Sequence, residues 1–297
     1  MKNSKLFTAV IHFCFILMTL AFLLPFLIVI LVSFTKESDL IDYGFRLIPK
    51  HWDLTAYKTL FANPKDLVRS IIWTIFVAVV QPAIAAVVQG LCAYPISRSD
   101  FTFKKPVNYF LVSTMMFSAG LVPAYIVLTN IYHLGNNPLI YFVTGWASCW
   151  GVILYRTFFQ GIPDSLIEAA KIDGATELKV LWYVVLPMSK AIFGIQYFQG
   201  VLGSWGAYQT SMIYLTRSDM KPFWTFQYFL QRILQNNELI KQSFALIGQT
   251  TTDYPTTTLK YAMCVLSILP ILVLFPYIQK YFSILLLQYE LNPHVMC

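Results

Sequence analysis

Six runs of mostly apolar residues limit what this chain can fold into. They cover about Val10–Val32, Ile71–Tyr94, Val107–Thr129, Pro138–Phe159, Ala191–Leu215 and Tyr261–Gln279. An α-helix of about 20 apolar residues crosses the hydrocarbon core of a bilayer, and in lipid every backbone polar group must be satisfied within the structure. The runs therefore predict an all-α integral membrane protein with six transmembrane helices.

Composition agrees with this interpretation. Of the 297 residues, 57% are hydrophobic and 12% are charged, whereas soluble domains average roughly 45–50% apolar and about 25% charged residues. The net charge of +7 could suggest nucleic acid as a partner, but basic residues also collect in cytoplasmic loops. The chain has no long run of like charges, so we expect no nucleic-acid binding. Its five cysteines show no metal-ligand spacing, and we expect no metal site.

The distribution of basic residues in the short loops predicts the orientation. The loop between the second and third runs contains Arg98, Lys104 and Lys105, whereas the next loop, "NIYHLGNNP", has no Lys or Arg. The positive-inside rule then places both chain ends in the cytoplasm. The predicted organisation is an N-terminal segment at 1–9, a six-span domain at 10–282 with external loops at 33–70 and 216–260, and an atypical tail at 283–297. Within the second external loop, "KPFWTFQYFLQRILQ" has helical apolar spacing and predicts a helix that lies on the membrane surface, is held by a partner or caps the bundle.

A polar insert, "IPDSLIEAAKIDGATELKVLWYVVLP" at 162–187, interrupts the apolar pattern. It predicts two short helices with a break between them. Ser165 and Glu168 fit a capping box at the first helix, and Gly174 is placed where a left-handed residue ends it. Thr176 is placed to cap the second helix. By itself the pattern fits either a helix that plugs into another protein or an ordinary connector.

This insert resembles the EAA motif of ABC importer permeases, E-A-A-x3-G-x9-I-x-L-P, with Val184 in place of Ile. Segments such as "CAYPISRSDF" and "MMFSAGLVPAYIVLTNIYHLGNNPLIY" are similar to carbohydrate-importer permeases of the maltose type, in the oligosaccharide branch. The resemblance implies the type I ABC importer permease fold and a cytoplasmic coupling helix in the loop at 160–190, here called the EAA loop. The residues that it assigns to ATPase coupling are Glu168, Ala169, Ala170, Asp173, Gly174, Leu186 and Pro187. A capping role alone remains the alternative for Glu168.

The chain lacks the sequence features that would let it drive transport without a partner. It has no G-x-x-x-x-G-K-[ST] phosphate loop, and its apolar runs lack the acidic and lysine residues of proton relays. The resemblance implies that ATP and magnesium are bound by partner subunits, so we expect no cofactor on this chain and no enzyme activity. The implied partners are a second permease subunit, a dimer of ATPase subunits, an extracytoplasmic solute-binding protein, a sugar or oligosaccharide and membrane lipid. The expected location is the cytoplasmic (inner) membrane of a bacterium.

The sugar pathway is predicted from amide and aromatic side chains, which bind sugars without charge. The candidates are Gln196, Gln199, Ser204, Trp205, Tyr208 and Gln209 in the fifth run, with Gln81 and Gln89 in the second. Hydrogen bonding between closely packed helices, with glycines at the contact, is the alternative for each. Two other functions stay open: a permease for a non-sugar solute, and a channel or secondary transporter that works alone.

Overall fold

The computed structural model describes residues 2–46, 48–246 and 255–290. Helices form in all six of the apolar runs. The α-helices are α1 Lys2–Ser33, α2 Glu37–Tyr43, α3 Thr55–Leu60, α4 Pro64–Ser97, α5 Lys104–Met116, α6 Leu121–Ile126, α7 Ile140–Val143, α8 Cys149–Phe159, α9 Asp164–Ile172, α10 Glu177–Val180, α11 Leu186–Met188, α12 Lys190–Gly206, α13 Gln209–Tyr214, α14 Phe226–Leu246 and α15 Thr257–Glu290. Two π-helical turns, Val127–Ile131 and Leu181–Val185, and a 3₁₀ turn, Ser218–Phe223, adjoin them. The expectation of an all-α chain is confirmed.

The apolar runs differ in continuity. Within the described residues, Phe7–Ser33 and Pro64–Ser97 are unbroken helices long and apolar enough to cross a membrane. The third run bends by 112° between α5 and α6, where Gly120 adopts a left-handed φ of 86°. A bend of 78° separates Glu177–Met188 from α12, and four spans result if each bent pair counts as one. The fourth run is also divided, into α7 and α8. The sequence pattern therefore located the apolar segments correctly, but it predicted single unbroken helices where the structure has broken ones.

The described residues pack as two units, one within 1–67 and 229–273 and the other within 68–228 and 274–297. In the first unit, Glu37 is almost fully buried and receives hydrogen bonds from the backbone N–H groups of Thr257 and Thr258. The hydroxyl groups of Thr256 and Thr258 donate to the same carboxylate. Burial by itself raises the pKa of Glu37, but these hydrogen bonds outweigh it and lower the pKa. The carboxylate therefore satisfies the free N–H groups at the start of α15.

The second unit contains two apolar clusters. One lies between the end of α4, α8, the EAA loop and the start of α12, with Tyr155, Ile167 and Val180 among its buried members. The other includes Val77, Ile140, Tyr141, Leu215 and Trp224. The first cluster supports the EAA loop, and α4 and α8 extend from it to a cavity described below.

Two predictions about peripheral segments can be compared with the structure. A helix forms in "KPFWTFQYFLQRILQ" as α14, but Phe226, Leu230 and Leu234 are buried within the protein. Of the three alternatives, this burial favours a helix that caps the bundle. In the predicted tail, the backbone is helical to Glu290, and residues 291–297 lie outside the described residues, as do residues 247–254 of the external loop.

Candidate functional site

The EAA loop folds as two short helices joined by a left-handed turn. The first helix, α9, ends at a turn in which Gly174 has φ 79°, as the sequence predicts. The Gly174 N–H donates to the Lys171 carbonyl, and the Ala175 N–H donates to the Ala170 carbonyl. This pair of hydrogen bonds is the Schellman motif, which satisfies carbonyls at the helix end and favours glycine at its left-handed position. The turn separates α9 from α10.

The predicted capping box does not form. The N-cap residue of α9 is Pro163, no side chain caps the helix, and Ser165 lies inside the first turn. Thr176 is the N-cap residue of α10 as predicted, although its side chain makes no capping hydrogen bond. The reason for the shift is that Pro163 has an extended backbone and the helix begins directly after it. The Glu168 carboxylate is thus not used as a cap.

Burial divides the EAA motif into an inner and an outer face. Ile167 is the buried residue of α9 and packs into the apolar cluster. Ala170 and Leu186 are partly buried against the same cluster. Most of the other predicted coupling residues are exposed, and this outer set comprises Glu168, Ala169, Asp173, Gly174 and Pro187. Ile172, which is 85% exposed, adds a large apolar side chain to this face.

Ion pairs hold the inner side of the loop. Lys171 Nζ lies 2.6 Å from Glu177 Oε1 and 3.4 Å from Asp100 Oδ2. The Tyr94 hydroxyl donates to Glu177 Oε2 at 2.6 Å, and Arg98 Nη1 lies 3.1 Å from Asp164 Oδ1. The hydrogen bond from Lys171, followed by that from Tyr94, lowers the pKa of Glu177, and the hydrogen bond to Glu177 raises the pKa of Lys171. Both groups are therefore charged at neutral pH.

A cavity of about 240 Å³ brings together several of the predicted pathway residues. The four glutamines Gln81, Gln89, Gln196 and Gln199 all line it. The Gln89 side-chain amide donates to the Trp146 carbonyl at 3.2 Å. Those of Gln196 and Gln199 make no hydrogen bond within the described part of the chain. None of the lining residues is charged.

The remaining pathway candidates lie elsewhere. Ser204 donates to Gln81 Oε1 at 2.9 Å, which is the interhelical bonding considered as the alternative. Trp205 is buried against Phe226, with ring centroids 5.9 Å apart. Tyr208 and Gln209 are exposed at the break between α12 and α13 and do not line this cavity.

The glycines of the fifth run differ in how closely they are packed. A side-chain carbon added at Gly200 would collide with Pro82, so α12 and α4 are in close contact there. The same carbon added at Gly203 or Gly206 would meet nothing within 4 Å. The alternative of glycines at a helix contact therefore holds for Gly200 and not for Gly203 or Gly206.

Three further lining residues have polar or aromatic side chains that were not predicted from the sequence, namely Ser148, Trp150 and Tyr155. The Tyr155 hydroxyl is buried and has no hydrogen-bond partner among the described residues. Leaving such a group unpaired is costly, which makes it a candidate contact for a ligand. Ser148 and Tyr155 are seven positions apart, about two helical turns, and this spacing on one face was the available signal.

Comparison with known proteins finds relatives that match most of the chain. The chain is 32% identical to the polygalacturonan/rhamnogalacturonan transport system permease protein YtcP of Bacillus subtilis (strain 168), over 95% of this chain and 96% of the relative. It is 26% identical to the maltodextrin transport system permease protein MalD of Streptococcus pneumoniae, over 84% and 81%. No family model matches the chain.

A solved structure has the same fold. It is a chain of a bacterial ABC transporter involved in the import of the acidic polysaccharide alginate, with a TM-score of 0.73 at 24% identity, covering 95% of this chain and 98% of that chain. The fold is therefore that of an ABC importer permease. With a relative 32% identical along nearly its whole length, the chain belongs to the family of carbohydrate ABC importer permeases. It is a membrane protein and not itself an enzyme, because ATP hydrolysis in these importers takes place on a separate subunit.

Proposed function

We propose that this chain moves an oligosaccharide across the cytoplasmic membrane of a bacterium by alternating access. In this proposal it acts beside a second permease subunit, receives sugar from an extracytoplasmic binding protein and is driven by a dimer of ATPase subunits. Both chain ends and the EAA loop face the cytoplasm, as the basic loop residues predict. ATP binding closes the ATPase dimer, the EAA loop moves with it, and the pathway opens outward.

The observation that carries the sugar assignment is the cavity with four glutamines and no charged lining residue. Sugar hydroxyls pair with amide groups, and sugar rings pack on aromatic faces such as that of Trp150. The lining has no charged side chain to pair with the ionic groups of an amino acid or with a small inorganic ion. The printed substrates of the relatives, polygalacturonan and maltodextrin among them, point the same way.

The coupling role is supported by the positions of two charged side chains of the EAA loop. The carboxylates of Glu168 and Asp173 lie on the exposed face, and no ion pair within the described residues occupies them. Beside them Ile172 offers an exposed apolar side chain. A short helix with an apolar tip and two free carboxylates suits a groove with basic residues at its rim. We therefore assign this face to docking in the cleft of the ATPase subunit.

The test is ATPase activity and sugar uptake of the assembled importer in proteoliposomes. Binding proteins are added with maltodextrin, polygalacturonate oligomers or alginate oligomers. The variant combines Glu168→Ala, which removes an exposed carboxylate, with Gly174→Asp, which strains the left-handed turn. Lys179→Ala, an exposed charge of the same loop, is the control.

We expect one loaded binding protein to stimulate the ATPase of the wild type and the control but not that of the double variant. The sugar that stimulates identifies the substrate. Normal stimulation of the assembled double variant would contradict the coupling role. Failure of every sugar, together with stimulation by an amino acid or an ion, would contradict the sugar assignment.

A further inference from the structure

The charged side chains of the EAA loop separate into two groups. Glu168, Asp173 and Lys179 are exposed and make no ion pair in the described part of the chain. The other group, Asp164, Lys171 and Glu177, faces the end of α4 and the residues directly after it. The first group contains the carboxylates assigned to docking, whereas the second group binds other parts of this chain.

The second group ties α9 at both ends to one short segment. At the N-terminal end, Asp164 pairs with Arg98, and in the last turn Lys171 pairs with Asp100. Arg98 and Asp100 are only two positions apart, and Arg98 Nε lies 3.6 Å from Asp100 Oδ1. A third tie joins the start of α10 to the last turn of α4 through Glu177 and the Tyr94 hydroxyl. Lys171 and Glu177 close the arrangement by pairing with each other.

Apolar packing alone leaves α9 poorly fixed. Ile167 is its single buried residue, and Ala170, which packs partly buried against the same cluster, adds only a methyl group. A cavity of about 190 Å³, whose lining includes Arg98, Asp164 and Ile167, lies beside the helix. A second cavity of about 450 Å³, whose lining includes Tyr94, Asp100 and Glu177, lies beside α10. The ion-paired side chains thus border spaces that close packing does not fill.

The segment that receives the ties lies at the end of the helix that forms one wall of the glutamine-lined cavity. Tyr94 lies on α4, the same helix that carries Gln81 and Gln89. Gln89 is five positions before Tyr94, which is roughly 8 Å along a helix. A displacement of α9 that passes through the ties therefore reaches the end of the helix that forms this wall.

We infer that the loop clamp, defined as Tyr94, Arg98, Asp100, Asp164, Lys171 and Glu177, is a positioning device that makes α9 and α4 move as one body. The inference rests on the proposed coupling function and adds to it the residues that transmit the movement. The clamp residues do not touch sugar or nucleotide. They set how much of the movement of the docking helix reaches the transport pathway.

The test uses the assembled importer with three variants. Lys171→Met removes the central cation and retains an unbranched apolar stem of similar length. Lys171→Arg retains the charge and is the conservative rescue. Lys179→Met is the matched control, with the same change eight positions away on an exposed side chain that makes no ion pair. Sugar transported per ATP hydrolysed is measured in proteoliposomes, and amide hydrogen exchange of residues 164–176 is measured without nucleotide.

We expect Lys171→Met to assemble and hydrolyse ATP, but to transport about threefold less sugar per ATP, the size expected from losing partly exposed ion pairs in a network. Its α9 amides should exchange faster. Lys171→Arg should restore both quantities, and Lys179→Met should match the wild type. Equal transport ratios and equal exchange in the two Met variants would overturn the inference.

A failure of the proposed function can be distinguished from a failure of the clamp, and a second variant covers loss of assembly. If no loaded binding protein stimulates even the wild type, the proposed function fails, while hydrogen exchange still decides whether the clamp holds α9. If Lys171→Met does not assemble, Tyr94→Phe replaces it, because this change removes one hydroxyl and its hydrogen bond to Glu177. Unchanged transport per ATP and unchanged exchange in that variant would count against the clamp.

Discussion

The EAA loop and the glutamine-lined cavity lie in the same unit, yet their polar groups are arranged in opposite ways. The EAA loop directs Ile167 into the core and leaves the carboxylates of Glu168 and Asp173 exposed. The cavity is lined by four glutamine amides, of which that of Gln89 is buried and that of Gln199 is exposed, and by the buried Tyr155 hydroxyl. A surface for another protein can carry charge because water solvates it, whereas a pathway for sugar through apolar helices relies on neutral hydrogen-bonding groups.

The two regions share supports. Helix α8 carries Gly151 and Tyr155 to the cavity and Phe159 to the core beneath the EAA loop. Helix α4 likewise reaches from Gln81 to Tyr94. The ring of Phe193 packs 4.5 Å from that of Tyr155, centroid to centroid. The comparison therefore teaches that one packed core serves both an outward docking face and an inward binding site.

The largest effect should come from placing a charge in the core of the docking region. Ile167→Asp buries a carboxylate without a partner, which we expect to cost about 3 kcal/mol or more. The EAA loop should detach and the ATPase subunits should be lost on size-exclusion chromatography. Leu166→Asp, a change at the neighbouring and partly exposed position, is the control. Retention of the ATPase subunits by Ile167→Asp would show that the core does not anchor the loop.

A smaller effect is expected where the cavity wall is closely packed. A side-chain carbon at Gly200 would lie 2.7 Å from Pro82 Cβ, whereas at Gly203 it would meet nothing within 4 Å. Gly200→Ala should therefore destabilise the protein by about 1–3 kcal/mol through overpacking. Gly203→Ala should leave stability unchanged or raise it, because alanine favours the helix. Thermal unfolding of the purified importer measures both, and equal melting temperatures would mean that α4 and α12 are not in close contact.

Removal of the Tyr155 hydroxyl tests whether this residue binds sugar or only packs. Tyr155→Phe removes a buried group without a partner among the described residues, so stability should stay the same or rise by up to about 1 kcal/mol. If the hydroxyl contacts sugar, uptake should fall by about threefold, the value of one neutral hydrogen bond. Melting temperature and uptake are measured together, with Tyr208→Phe at an exposed position as the control. Normal uptake by Tyr155→Phe would remove this residue from the pathway.

The smallest effect concerns the charges of the docking region and depends on pH. The pKa of Glu177 is lowered in the folded protein, so its ion pair stabilises fully above the ordinary value near 4.5 and is lost as pH falls through the lowered value. The pKa of Lys171 is raised, so its contribution is present below its ordinary value near 10.5 and is lost only as pH rises through the raised value. Since both side chains are partly exposed, we expect less than about 1 kcal/mol in total.

The measurement compares the melting temperatures of the wild type and Glu177→Gln between pH 7 and pH 3.5. The wild type should be slightly more stable at pH 7, and the difference should disappear toward the acidic end. High salt should reduce the difference at pH 7, because exposed pairs are screened. A difference that does not shrink between pH 7 and pH 3.5 would mean that Glu177 acts through packing rather than charge.

Local pattern determined much of what could be predicted. The spacing of the EAA motif located the break at Gly174, because a left-handed helix end is a property of a few adjacent residues. The glutamines at Gln196 and Gln199 were recognised because polar amides are costly in an apolar run. The positions of the apolar runs followed from the same rule. These signals depend on neighbours in the sequence, so no partner element is needed to read them.

Only the tertiary structure decided the remaining features. The pairing of Arg98 with Asp164 and of Tyr94 with Glu177 joins residues 66 and 83 positions apart, and nothing local specifies such partners. The helix breaks beside Gly120 and within the fourth run were not predicted, because average hydropathy does not record whether a helix is continuous. The sequence by itself determined a membrane protein with an exposed EAA loop, since those properties follow from short-range chemistry. The cavity, Tyr155 and the loop clamp required the fold, because each is formed by side chains that meet only when distant helices pack.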